Sequence, residues 1–166
     1  LGLYATRRAS IFIHIAAGSV ALFAGPVQIW LGLSDRRIDV HRRLGLVYMA
    51  AGLCSSLAAI YLSTHTDGGW MFGSGLFGLA MAWFITTGLA YVSIRKLLID
   101  QHKEWMIRSY VVMFAFVTFR VLFVALQAAH VGTVQEQLGV AAWFCWAVPL
   151  LITEAILQGR KVFAAP

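Results

Sequence analysis

The chain has 166 residues, 60% of them hydrophobic and only 12% charged, and its mean hydropathy is +0.78. Soluble domains carry about 25% charged residues to cover their surface, so this composition excludes an ordinary water-soluble globule and sets the apolar surface against lipid. The net charge of +6 is no nucleic-acid footprint, because a lipid-buried bundle offers neither a groove reader nor a basic arm; it reads as membrane topology, and no nucleic-acid partner is expected.

The expected fold is all-α: a single transmembrane domain over 1–166, an integral membrane bundle of about five helices. In chain order, the uncharged stretches cover about 11–33, 44–64, 70–94, 104–129 and 138–157. The fourth is approached from His102 and carries Arg108 and Arg120; the fifth carries Glu154. Each is near the ~20 residues that cross a ~30 Å hydrocarbon layer. Helices satisfy their own backbone there, whereas barrel strands would alternate in polarity and run about half that length.

The basic residues set the direction. Arg36, Arg37, Arg42, Arg43, Arg95, Lys96, Lys103, Arg108, Arg160 and Lys161 fall on one side; Arg7 and Arg8 fall on the other, with the acids Asp67 and Glu136. By the positive-inside rule the C-terminus is cytoplasmic. Trp30, Trp70 and Trp105 lie near span ends, where indoles favour the interface. Gly18 and Gly25, Gly45 and Gly52, and Gly78 and Ala82 recur at helix-contact spacing. Pro26 and Pro149 are expected to kink their helices. Cys54 and Cys145 have no CxxC partner and read as small apolar contacts.

Polar residues inside the spans need neighbours. At ~100° per residue, His14, Gly18, Gly25, Gln28 and Gly32 share one stripe of the first helix. His41, Gly45, Tyr48, Gly52 and Ser55 share one on the second, and His102, Ser109, Arg120 and Gln127 one on the fourth. Such stripes should face the bundle interior. His41 and His102 stand at the cytoplasmic start of two parallel helices, which suits a bis-histidine haem, with Gly45 leaving room for the ring. Beside Arg42, Arg43 and Lys103, the same two residues also read as interfacial histidines solvated by headgroups. His14, and with it His65 and His130, lies toward the opposite face, where a second group could be held. Zinc would need Asp100, Glu104 or Glu154 to complete a ligand set.

Arg120 lies 12 positions beyond Arg108, or ~18 Å along a helix, too deep to reach the cytoplasmic surface. It is expected to point inward, toward a carbonyl, Thr86, Thr87 or an anionic group, and to border an outward pocket with His14. The alternative is snorkelling to the outer interface.

The runs His14…Gly25-Pro-Val-Gln28, His41-Arg-Arg-Leu-Gly45-Leu-Val-Tyr48, Trp83-Phe-Ile-Thr-Thr87…Ile94-Arg95 and His102-Lys-Glu-Trp-Met-Ile-Arg-Ser-Tyr110…Val117-Thr-Phe-Arg120 resemble a bacterial family of predicted membrane proteins, domain of unknown function 2306. The resemblance covers about 11–127, marks His14, His41, His102, Arg108 and Arg120 as signature positions, and implies a bacterial cytoplasmic membrane. It also implies an apolar helix upstream of Leu1. More distantly, the layout resembles four-helix di-haem cytochromes b. It departs from them in having no histidine in the third span to match His14, so one haem is the expectation.

Two functions follow. One is a redox protein holding haem b through His41 and His102 and exchanging electrons with quinone. The other is a non-catalytic accessory subunit packed against other membrane subunits. A small carrier or lipid-binding pocket around Arg120 and His14 stands third. No nucleotide loop, nucleophile elbow or carboxylate pair is present, which argues against kinases and hydrolases.

Overall fold

A computed structural model describes residues 2–34 and 37–163, the side chains of 2–6 and 33 excepted. Arg36, counted above among the cytoplasmic charges, lies outside the described residues. Six helices follow in order: α1 Gly2–Ser34, α2 Ile38–Ser63, α3 Trp70–Arg95, α4 Ile99–Met113, α5 Ala115–Ala128 and α6 Val134–Phe163. With α4 and α5 taken as one rod, five helices are long and apolar enough to cross a membrane. They overrun the apolar stretches because a helix continues past the hydrocarbon edge. Thus α2 begins at Ile38 and carries His41, Arg42 and Arg43 in its first turns.

Local chemistry explains the ends. Thr133 and Glu136 form a capping box before α6: the Thr133 N–H donates to Glu136 Oε2 at 2.7 Å and the Glu136 N–H to Thr133 Oγ1 at 3.3 Å. At the end of α3, Leu97 takes a left-handed φ of 58° while the Leu98 N–H reaches back to the Ser93 carbonyl. His130 does the same after α5, with φ 52° and the Val131 N–H on the Leu126 carbonyl. Both are six-to-one helix terminations, and His130 is thereby a turn residue. Pro26 and Pro149 both sit within unbroken helices.

The fourth span differs from expectation. It breaks at Phe114 (φ −71°, ψ −6°), where the Val117 N–H bonds the Phe114 carbonyl at 3.0 Å in a tightened turn. No proline or glycine lies at the break.

Consecutive helices α1 to α4 pack on their neighbours, and α6 packs on α3, α4 and α5. The core gathers Ala21, Ala24, Tyr48, Met49, Trp83, Ala90, Val112 and Met113. Large apolar side chains such as Phe12, Phe23, Leu151 and Ile152 stay on the outside, as lipid-facing side chains do.

Small residues set the closest approaches. A Cβ at Gly75 would lie 2.8 Å from the Ala142 Cβ and 3.0 Å from its backbone, so α3 and α6 touch there nearly backbone to backbone. The contact is tied by Trp146 Nε1 donating to the Gly75 carbonyl at 3.2 Å. Gly75→Val should therefore cost about 1–3 kcal/mol of stability through overpacking, seen as a lowered melting temperature in detergent. Gly88→Ala, where an added Cβ meets nothing within 4 Å, should leave it unchanged or slightly raised.

Candidate functional site

The α2 stripe faces inward along its whole length, and each polar member finds neighbours at its own depth. At the basic end, Gln28 Nε2 donates to the His41 carbonyl at 2.9 Å, and the His41 ring lies against Gly32, whose added Cβ would meet its Cε1 at 3.2 Å. The space beside Gly45 is not left open: the Gln28 amide fills it, 2.7 Å from where a Cβ would stand. His41 is half-buried, and its Nδ1 is buried with no hydrogen-bond partner.

His102 sits at the same depth. Each histidine is the fourth residue of its helix, counted from Ile38 in α2 and Ile99 in α4, and the two imidazoles lie within electrostatic range of each other. His102 Nδ1 is 2.9 Å from the Ala90 carbonyl. A carbonyl only accepts, so Nδ1 carries a proton, and in the neutral ring Nε2 is the atom with the lone pair.

One level further out, Tyr48, Thr87 and Ser109 form a fully buried hydroxyl cluster: Tyr48 Oη to Ser109 Oγ is 3.1 Å and Thr87 Oγ1 to Ser109 Oγ is 2.7 Å. This is the one direct polar link described between α2 and α4. The Tyr110 ring, on the next residue, packs onto Gly25 of α1, where any Cβ would run into it. At the outer level, His14 and Ser55 clasp α1 to α2. Ser55 Oγ donates to the His14 carbonyl at 3.0 Å, and His14 Nδ1 donates to the Ser55 carbonyl at 3.1 Å.

The remaining histidines are not brought to His14. His65 Nδ1 bonds the Tyr61 carbonyl at 2.8 Å at its own helix end, and both His65 and His130 are exposed. Among the described residues no three His, Cys, Asp or Glu side chains converge as a metal-binding group. Cys54 is exposed and Cys145 buried, both free.

Arg120 does not point inward. The half-buried face of α5 is Thr118, Phe119, Leu122 and Leu126, packed on α6 and, through Phe119, on Phe72 of α3 at 6.0 Å between rings. Arg120 and Gln127 fall on the exposed side. Extrapolation from His102 assumed one continuous rod; the break at Phe114 resets the packing face, so the stripe ends at Ser109. The expected partners are engaged elsewhere, Thr87 with Ser109 and Thr86 with the Ala82 carbonyl at 2.7 Å. Arg120 makes no hydrogen bond or ion pair among the described residues.

Arg108, counted above as a topological charge, is 6% exposed and belongs to an ion cluster joining α4 to α6. Its Nε and Nη2 approach Glu154 Oε2 at 2.7 and 2.6 Å, its Nη1 lies 3.4 Å from Glu104, and its guanidinium covers the Trp105 ring at 4.7 Å. Lys161 closes the set at 2.8 Å from Glu104. Sequence reasoning missed this cluster. The available signal was a lone carboxylate, Glu154, inside one span and an arginine at the matching depth of another.

A family model described as a predicted membrane protein, DUF2306, matches residues 11–157. No curated protein and no solved structure gave a match. With the match running over most of its length, from before His14 to beyond Glu154, this multi-pass helical chain belongs to the DUF2306 family of predicted membrane proteins.

Proposed function

We propose that the chain is a membrane redox protein that holds haem b between His41 of α2 and His102 of α4. The observation that carries the reading is the state of the two rings. The Ala90 carbonyl holds the Nδ1–H of His102, the outer-shell arrangement that orients metal-ligating histidines and leaves Nε2 as the ligand atom. His41, at the same depth, keeps its buried Nδ1 unpartnered, with the Cε1 edge of the ring packed on Gly32 of α1, so that ligation from the α4 side requires the ring to turn. The parallel helices α2 and α4 are joined by the Tyr48–Ser109 hydrogen bond one level deeper, so the group would stand on the basic-end side of that bond. Bound there, haem supplies one-electron chemistry. The purified protein, expressed with haem supplied, should show a reducible Soret band that is lost in His41→Ala and in His102→Ala. A well-folded but colourless wild type would overturn the proposal.

A second reading, an accessory subunit packed against a larger membrane assembly, is favoured by Arg120. An unpaired arginine inside a span costs about 2.5 to 3.5 kcal/mol on insertion scales, and its exposed position on α5 is open to an acidic residue of a neighbouring subunit. Arg120→Leu should then shrink the complex seen by native electrophoresis of solubilised membranes while insertion persists. Unchanged complex size, with equal or higher stability, assigns Arg120 to snorkelling instead.

The orientation rests on charge: Arg37, Arg42, Arg43, Arg95, Lys96, Arg160 and Lys161 gather at one end of the helices, and Arg7 pairs with Asp67 at 3.0 Å at the other. We infer that the first end is cytoplasmic, in a bacterial inner membrane. In a Cys54→Ser background, an impermeant thiol reagent applied to intact cells should label Asp67→Cys and miss Arg160→Cys. The reverse pattern overturns the orientation.

A further inference from the structure

A cleft of about 710 Å³ opens between α4 and α6, with Thr86 of α3 at its back. It is open along one side, so a guest would lie in it with one face toward the lipid. Its polarity is graded. Gln101, Glu104, Glu154 and Lys161 line one end, at the basic face of the bundle; Trp146, Leu150 and Leu151 line the other, deeper in the span, and Trp105 stands between. Such a gradient takes an amphiphile lying with its head at the interface and its tail in the hydrocarbon.

The charges select the head. Two carboxylates, Glu104 and Glu154, stand against two cations, Arg108 and Lys161, and all four are already paired with one another at 2.6 to 3.4 Å. No charge is left over for a phosphate or an ammonium. What the cleft does offer is the Trp105 indole N–H, a donor only, and the Gln101 amide, a donor and an acceptor; neither makes a hydrogen bond among the described residues, whereas both carboxylates are engaged. A head that is neutral, flat and able only to accept hydrogen bonds fits this set, with the Trp105 and Trp146 indoles as apolar walls.

We infer that this cleft binds a membrane quinone, its ring carbonyls toward Gln101 and Trp105 and its tail along Leu150 and Leu151. The role of such a site rests on the redox reading, because Gln101 and Trp105 flank His102 on the same turns of α4. A headgroup there lies within about one helix diameter, 10–12 Å, of the His41–His102 level. Occupancy of the cleft does not depend on haem.

The test uses the full chain in lipid nanodiscs and a photoreactive azido-quinone. Labelling should be competed by unlabelled decyl-ubiquinone and should map to peptides containing Trp105 on α4 and Leu150 to Glu154 on α6. Leu150→Trp, which fills the apolar end, should abolish it. Gln101→Leu should weaken competition by about threefold, the loss of one hydrogen bond at the exposed rim of the cleft. Gly88→Ala, away from the cleft, should label as wild type does. Labelling that is not competed, or that maps elsewhere, or competition by phosphatidylglycerol in place of quinone, overturns the inference. Circular dichroism and the Soret band of each variant separate the outcomes: quinone labelling without a Soret band leaves the cleft and removes the haem, and the converse leaves the haem and removes the cleft.

Discussion

Every polar side chain on the inner face of α2 must find its partner within the bundle, because hydrocarbon offers none. This one constraint arranges the neighbours. His41, Tyr48 and Ser55 recur at seven-residue intervals, two helical turns or ~10 Å apart, and each level engages a different surface. Gln28 and Gly32 of α1 meet the first, Thr87 of α3 and Ser109 of α4 engage the second, and His14 of α1 clasps the third. Helices α1 and α3 therefore flank α2, and α4 comes across the bundle to it at mid-depth. A leucine in place of Tyr48 or Ser55 would remove a level of this register and leave its partner groups buried without bonds, which is the unfavourable half of a broken hydrogen bond, whereas at His41 the Gln28 bond goes to the backbone carbonyl and would survive.

The attachment of α6 follows a different logic. In its outer half it is held by near backbone contact at Gly75 and by the Trp146 hydrogen bond, where close packing supplies the attraction that lipid cannot. At its inner end it is held by charge. Glu154 and Arg108 are 46 positions apart in the chain, and each would be expensive so near the hydrocarbon without the other. Arg108 is nearly inaccessible while Glu154 remains 42% exposed, so the carboxylate reaches in from the edge to a cation already buried beneath Trp105. The pair and its neighbours sum to no net charge, which lets the cluster sit beside an apolar cleft.

How far the sequence was legible depends on helix continuity. The five spans, the inward faces of α1 and α2 and the shared depth of His41 and His102 all follow from counting along unbroken helices, where 100° per residue holds. Past Phe114 the same counting misplaces Arg120 and Gln127, since neither proline nor glycine announces the break and α5 takes its face from α6 and Phe72. Sites made by side chains from distant helices were not legible either. Tyr48, Ser109 and Thr87 each appear as isolated small or polar positions, and only the fold makes them one hydroxyl cluster. The Arg108 cluster was hidden for another reason: a basic residue near a span end has an adequate explanation as topology, and that explanation stops the search for a carboxylate. The room expected beside Gly45 failed through a long side chain, Gln28, whose reach across from α1 no periodicity encodes.

The distribution of unsatisfied atoms separates the two polar systems. Among the described residues, Gln28 Oε1, His41 Nδ1 and Gln137 Oε1 are buried without a partner, while Trp83 Nε1 has only the Tyr48 hydroxyl within reach. The α4–α6 cluster contributes none of them, and Gln137 stands apart at the outer start of α6. The other two, on Gln28 and His41, lie at the basic end of the α2 column. Each unanswered atom costs about 1–3 kcal/mol in a dry interior, and these two sit together at that end. The ion cluster satisfies itself and acts as a structural tie, whereas the basic end of the α2 column leaves Gln28 Oε1 and His41 Nδ1 unanswered. That asymmetry, more than the presence of histidines, is what supports proposing haem for the α2–α4 interior and a neutral guest for the peripheral cleft.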